Sequence, residues 1–182
     1  MECEKHSILQ TLYTTQLEFN RKSIERYQAA RGMSFDSLLY CAEGQGWASS
    51  DKGEVIIKRG QFLVIPQNEA IEYQGNSRYP WSFFKVSFSG TLSKAVIKKL
   101  AERRMYVSVY TANKAQRLWY FDTIFELLSS HLNVERLLEC SRLLWRFLST
   151  FTQDLFSSLI EDCDDAFHKD WLVQCLGKTK CS

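Results

Sequence analysis

The stretch Gly60-Gln61-Phe62-Leu63-Val64-Ile65-Pro66 constrains this chain most tightly. A glycine, a short apolar run and a proline spell turn, buried strand, turn, and a strand apolar on both faces needs a covering layer on each side. The surrounding sequence supplies those layers. Asp36 to Glu43, Gly46 to Ser50, Glu54 to Lys58, Ala70 to Gln74 and Trp81 to Phe88 are short runs punctuated by Gly, Pro, Asn or Asp. This spacing predicts a sandwich or barrel of short antiparallel strands. Ser50-Asp51-Lys52-Gly53 adds a hairpin signal. In Trp81 to Phe88, both alternating faces carry bulky apolar groups, so both are expected to be covered, and Lys85 is carried with one of them into a partly enclosed place.

Upstream, Ser7 to Phe19 alternates loosely and reads as extended, and the charged stretch Lys22 to Gly32 reads as leading into a turn. Beyond Gly90 the apolar period changes from two to 3.6. Leu92 to Arg104 reads as a basic amphipathic helix, Met105 to Tyr110 as a short extended piece, and Ala115 to Ser130 as a helix with Leu118, Phe121, Phe125 and Leu128 on one stripe. Asn133 is placed to cap a longer helix running to about residue 160. That helix carries Leu137, Leu144, Leu148, Phe151 and Leu155 on one stripe, with Leu138, Leu143, Trp145 and Phe147 around much of the rest. It therefore needs two partners. The barrel and the neighbouring helix could supply both, but we assign the stripe to the contact of a homodimer. The resulting organisation is a barrel over residues 8–90, a helical dimerisation unit over 91–160 and a poorly ordered tail over 161–182.

Bulk properties exclude more than they select. A chain of 182 residues, 45% of them hydrophobic, fills the core of one domain with an appended helical piece, and a net charge of +2 announces neither nucleic acid nor membrane. No apolar run approaches the roughly 20 residues that span a bilayer, and the first residues form no signal-peptide core, so a cytoplasmic location is expected. The six cysteines show no close pairing and are expected as free thiols. The basic run Lys94, Lys98, Lys99, Arg103 and Arg104 lacks interleaved aromatics and reads as a solvated helix face.

Gly44-Gln45-Gly46, the Gly60 to Pro66 turn-strand-turn, Glu69 to Tyr73 and Pro80 to Gly90, followed by amphipathic helices, together resemble the N-terminal sensing domain of AraC-type transcriptional regulators. The resemblance covers about residues 10–160 and is most specific over 36–90. It implies a mainly β fold with α: a cupin-like barrel (double-stranded β-helix, or jelly-roll) that binds a small effector, followed by an α-helical unit that makes the dimer. It also implies that DNA is reached only through a helix-turn-helix unit, which no part of residues 161–182 resembles. Carried over by position, the lining of the effector site falls on Thr15, Tyr73, Phe83 and Lys85. Tyr73 and Phe83 could stack on an effector ring. Lys85 stands where the family usually has tryptophan, and Ser87 where many members have histidine. A lysine in the pocket favours a carboxylate or phosphate over a sugar, unless its chain snorkels out of the barrel rim.

Catalysis is not expected, and no catalytic residue, cofactor or metal is assigned. Metal-binding cupins resemble one another in a histidine-rich pattern; here Ile71 stands at one of those places, and Glu43, Glu54, Glu69 and Glu72 alone are a poor ligand set. Cys41 has no histidine near it in the pattern, and the common nucleophile and phosphate-loop motifs are absent. The alternative is a stand-alone, metal-free cupin that binds or isomerises a sugar, which would need an acid/base pair inside the barrel such as Glu72 with Lys85.

Overall fold

The strands expected between residues 36 and 90 all form, because each alternates side chains that have two layers to fill. The computed structural model describes residues 11–101, 106–108 and 114–151. In chain order the elements are β1 (Tyr13–Ser23), β2 (Arg26–Ala29), β3 (Asp36–Glu43), β4 (Gln45–Ser50), β5 (Gly53–Lys58), β6 (Gln61–Ile65), β7 (Ile71–Gly75), β8 (Trp81–Ser89), α1 (Ser93–Ala101), β9 (Tyr106–Ser108), α2 (Lys114–Ser129) and α3 (Val134–Ser149). A five-stranded sheet in the order β1-β8-β3-β6-β9 faces a four-stranded sheet in the order β2-β7-β4-β5. Neighbouring strands run antiparallel. The fold is the expected cupin-like one, rich in β structure and followed by helices.

Two cores result from the alternation. Leu39, Cys41, Leu63, Trp81 and Phe83 point between the sheets, where Ala48, Ile57, Ile71 and Tyr73 meet them. Leu38, Tyr40, Phe62, Val64, Phe84 and Val86 point the other way and pack on the helices. Backbone geometry limits the turns. Gly44 sits at φ +69°, and a Cβ there would lie 2.1 Å from the Pro80 carbonyl oxygen, so only glycine lets β3 turn into β4 against that loop.

β2 was not foreseen within the charged stretch from Lys22 to Gly32. It exists because Tyr27 lies opposite Tyr73 in the pairing with β7, a long-range contact that local propensity does not encode. The extended piece expected near 105–110 appears as β9, which adds to the edge of β6, so the larger sheet draws a strand from beyond residue 90.

The helices differ from expectation at particular residues of α2 and in the partner of α3. On α2 the buried residues are Arg117, Tyr120, Phe121 and Ile124, whereas Phe125, expected on the apolar stripe, is 53% exposed. The rest of the expected stripe holds, with Phe121 buried and Leu118 and Leu128 packed against the same core, and Arg117 joins it from the sequence's polar set. Its guanidinium is fully buried, lies 4.1 Å from the Phe151 ring centroid and 5.1 Å from that of Tyr40, and donates to the Thr150 hydroxyl at 3.0 Å and the Thr150 carbonyl at 2.6 Å. The aromatic faces and the helix-terminal carbonyl offset the burial of this cation.

The stripe assigned to a dimer is corrected by α3. Leu144 and Leu148 are fully buried, Phe151 nearly so and Leu137 half-buried, all within one chain; Leu155 lies outside the described residues. The reason is geometric: α3 lies between the outer face of the larger sheet and α2, so both of its apolar sides are consumed internally. The described helix ends at Ser149, capped by Thr150; the expected continuation to about residue 160, the tail, Arg103 and Arg104 lie outside the described residues.

Candidate functional site

Four strands deliver one polar cluster to the interior of an otherwise apolar barrel. On β8, Phe83, Lys85 and Ser87 share the inward parity, and on β7 Tyr73 points inward while Glu72 points out. Register places Glu18 of β1 opposite Lys85 and Tyr27 of β2 opposite Tyr73. The two sheets bring these pairs face to face.

Lys85 is 2% exposed, and its ammonium is enclosed by two hydrogen-bond acceptors and a tyrosine ring. It donates to Glu18 Oε2 at 2.8 Å and to the Tyr73 hydroxyl at 3.3 Å, and lies 4.9 Å from the centroid of the Tyr27 ring. The Tyr27 and Tyr73 rings stack with centroids 4.7 Å apart. Glu18 reaches the surface, with its side chain 29% exposed, and its second oxygen accepts from Asn20 Nδ2. Burial, with the charge of Glu18 added, pushes the Tyr73 phenol up, so it stays a neutral O–H donor. Deeper on the same face, the Ser37 and Ser87 hydroxyls bond each other at 2.9 Å. The Phe83 ring meets Tyr73 edge-on at 6.0 Å and closes the apolar side.

Of the residues singled out from sequence, Tyr73, Phe83 and Lys85 come together. Lys85 points inward and does not snorkel out of the rim. Thr15 does not join them: it is exposed at an irregularity in β1, where the register with β8 slips between Thr14 and Gln16. Glu18 and Tyr27 were missed. Leu17 and Phe19 bracket Glu18 with a period of two, which sets its face but not its partner, and Tyr27 carries no such mark. The proposed Glu72–Lys85 pair is absent, because Glu72 lies on the outer face and pairs with Arg26. Lys85 meets Glu18 instead.

Other groups offer less chemistry. Burial pushes the Cys41 thiol up to about 12, against the weaker effect of its bond to the Glu43 carbonyl, and burial also raises Cys140. Neither is poised as a nucleophile. Among the described residues, no group of three or more His, Cys, Asp or Glu side chains converges as a metal site would require. A cleft of about 190 Å³ opens where β1 meets α2 and α3, lined by Tyr13, Thr14, Leu128, Leu137, Cys140 and Ser141. It holds no ionised group, so recognition chemistry is concentrated in the barrel cluster.

Residues 25–159 match the family described as the AraC-like ligand binding domain. The chain belongs to this family. This AraC-like ligand-binding domain is 28% identical over 89 residues to the MmsAB operon regulatory protein of Pseudomonas aeruginosa, an alignment that takes in 47% of the chain and 29% of that relative. The chain thus spans under a third of the relative's length. Similar solved structures include apo ToxT from Vibrio cholerae, at a TM-score of 0.42 and 11% identity, covering 93% of this chain and 64% of that one. The EutQ protein of Clostridium difficile follows at a TM-score of 0.33 and 14% identity, covering 44% of this chain and 64% of that one.

Proposed function

We propose that this domain senses a small organic acid for a transcriptional regulator of the AraC type. The observation that carries the reading is the buried Lys85 ammonium, ringed by a carboxylate, a neutral phenol and the face of a tyrosine ring. A buried cation is stable only with an anionic or strongly polar partner, so the barrel is built around the recognition of negative charge. A carboxylate with an apolar body would meet Lys85 and the Tyr73 hydroxyl at one end, and Phe83 with the tyrosine rings at the other. Binding is favoured over catalysis because Glu18 and Lys85 neutralise each other and Tyr73 is held protonated, leaving no free general base.

A homodimer belongs to the same proposal. With the α3 stripe enclosed, its contact moves to the outward side of the helical pair, where Trp119, Phe125, Leu132 and Val134 are each about half exposed. Trp119→Glu is expected to lower the mass in solution by half while leaving the circular dichroism unchanged; an unaltered dimer would remove this face from consideration.

The effector reading is tested by thermal unfolding of the wild type and of Lys85→Met in a panel of small carboxylates and their neutral amides. At about one hundred times its Kd a ligand adds about 3 kcal/mol of stability. Acids should raise the wild-type Tm and leave Lys85→Met unmoved. Equal stabilisation of both proteins by neutral polyols would overturn the acid reading in favour of a sugar.

A further inference from the structure

Lys85 is not waiting for a partner, because Glu18 already occupies it. We infer that Glu18 is an internal competitor of the effector, a carboxylate on the chain itself that an acidic ligand must displace from Lys85 before it can bind. The inference rests on the barrel being the site of an acidic effector, and it names the residue that sets which acids are admitted.

Three observations lead there. The Lys85 ammonium already donates to Glu18 and to Tyr73 and lies over the Tyr27 ring, so an arriving anion meets a carboxylate already in place. Of the three partners, Tyr27 and Tyr73 are tied together by stacking, whereas the Glu18 side chain is 29% exposed and reaches water. Glu18 also lies on β1, an edge strand of the larger sheet, and its pairing with β8 slips on both sides of it, between Thr14 and Gln16 and between Asn20 and Ser23. Between those slips Gln16 to Asn20 pair in continuous register, so Glu18 can leave Lys85 by rotating its own side chain toward water while the strand stays paired.

The exchange is balanced in charge, since one carboxylate leaves the ammonium as another arrives. Glu18 loses its ion pair but gains water, and the effector loses water but gains the ion pair. Selectivity follows, because an acid prevails only if its remaining atoms gain contacts with Tyr27, Tyr73 and Phe83. The strand carries the exchange outward. Phe19, the next residue on the opposite face of β1, stacks on Phe84 at 4.6 Å, and Phe84 meets Phe121 of α2 edge-on at 4.7 Å.

The test titrates the wild type, Glu18→Gln, Glu18→Asp and Lys85→Met with benzoate, with benzamide as the neutral control, by calorimetry. Removing the competing charge-assisted bond should tighten benzoate roughly tenfold or more in Glu18→Gln. Benzamide should be indifferent to the change. Glu18→Asp, whose shorter chain weakens the bond while keeping the charge, should give a smaller gain, and it carries the test alone if Glu18→Gln does not fold. Benzoate binding that appears only in the Glu18 variants supports the inference equally. Equal affinity in the wild type and the Glu18 variants, with loss in Lys85→Met, overturns the role of Glu18 and leaves the acid-sensing reading standing. Absence of any benzoate response, even with Glu18 removed, overturns both.

Discussion

Glu18 and Lys85 are unequal partners, and their inequality is measurable. Glu18 is part-exposed and can be hydrated when alone, whereas Lys85 is enclosed and cannot. Lys85→Met, which keeps the stem and removes the charge, should change stability by no more than about 1 kcal/mol, while Glu18→Leu should cost about 3–5 kcal/mol by leaving a buried ammonium unpaired. Urea unfolding of both variants decides it, and equal losses would show that the interior is wetter than the geometry indicates. Cys41 supplies a second test. Its thiol ionises near 9.0 when unfolded and near 12 when folded, so the folded state holds its proton more tightly. The stability from this group is fully present below pH 9, falls about tenfold in the folding constant per pH unit above it, and is lost once pH passes 12. Iodoacetamide at pH 8 should therefore spare Cys41 in the native protein and label it rapidly in urea. At this scale the alternation of β8 marks Lys85 as carried into a partly enclosed place but does not decide whether its chain snorkels out of the rim; the structure shows it buried. Glu18 and Tyr27 were not legible, because their positions depend on which strands pair with β8 and β7.

The elements show where periodicity suffices. The α3 cap was readable from Asn133 alone, and the structure forms it: the Asn133 side chain accepts from the Arg136 amide at 2.9 Å. Asn133→Ala should lower stability by about 1 kcal/mol, read as a fall in Tm. An unchanged Tm would mean that packing alone holds the end of this helix. α2 behaves differently. Its stripe of Leu118, Phe121 and Leu128 meets the core as expected, but Phe125 stays exposed and Arg117 is buried by reaching Thr150 and Phe151. No one-dimensional pattern marks an arginine as core, since the partners that make its burial tolerable lie at the far end of the next helix. β2 was hidden for a related reason, as four residues within a charged stretch become a strand only when β7 offers an edge.

At the scale of the whole molecule, the barrel and helices share one continuous apolar layer, so the helical unit is not an independent dimerisation module with a free apolar stripe. Introducing Leu144→Glu with Leu148→Glu should unfold the protein, as judged by circular dichroism, because each places an unpaired charge where the side chain is fully enclosed. A folded monomer from this double variant would return the stripe to a dimer interface. The strands between 36 and 89, the change to helices after Gly90 and the capped start of α3 were determined by the sequence itself, since turn residues and apolar period act over a few neighbours and need no distant partner. The family resemblance was likewise carried by short motifs in order. Tertiary structure alone decided which sides of α2 and α3 are covered, that β1 places Glu18 on Lys85, and that Thr15 stands outside the cluster. These depend on register and on contacts between residues far apart in the chain, where a shift of one position sends a side chain to the opposite face.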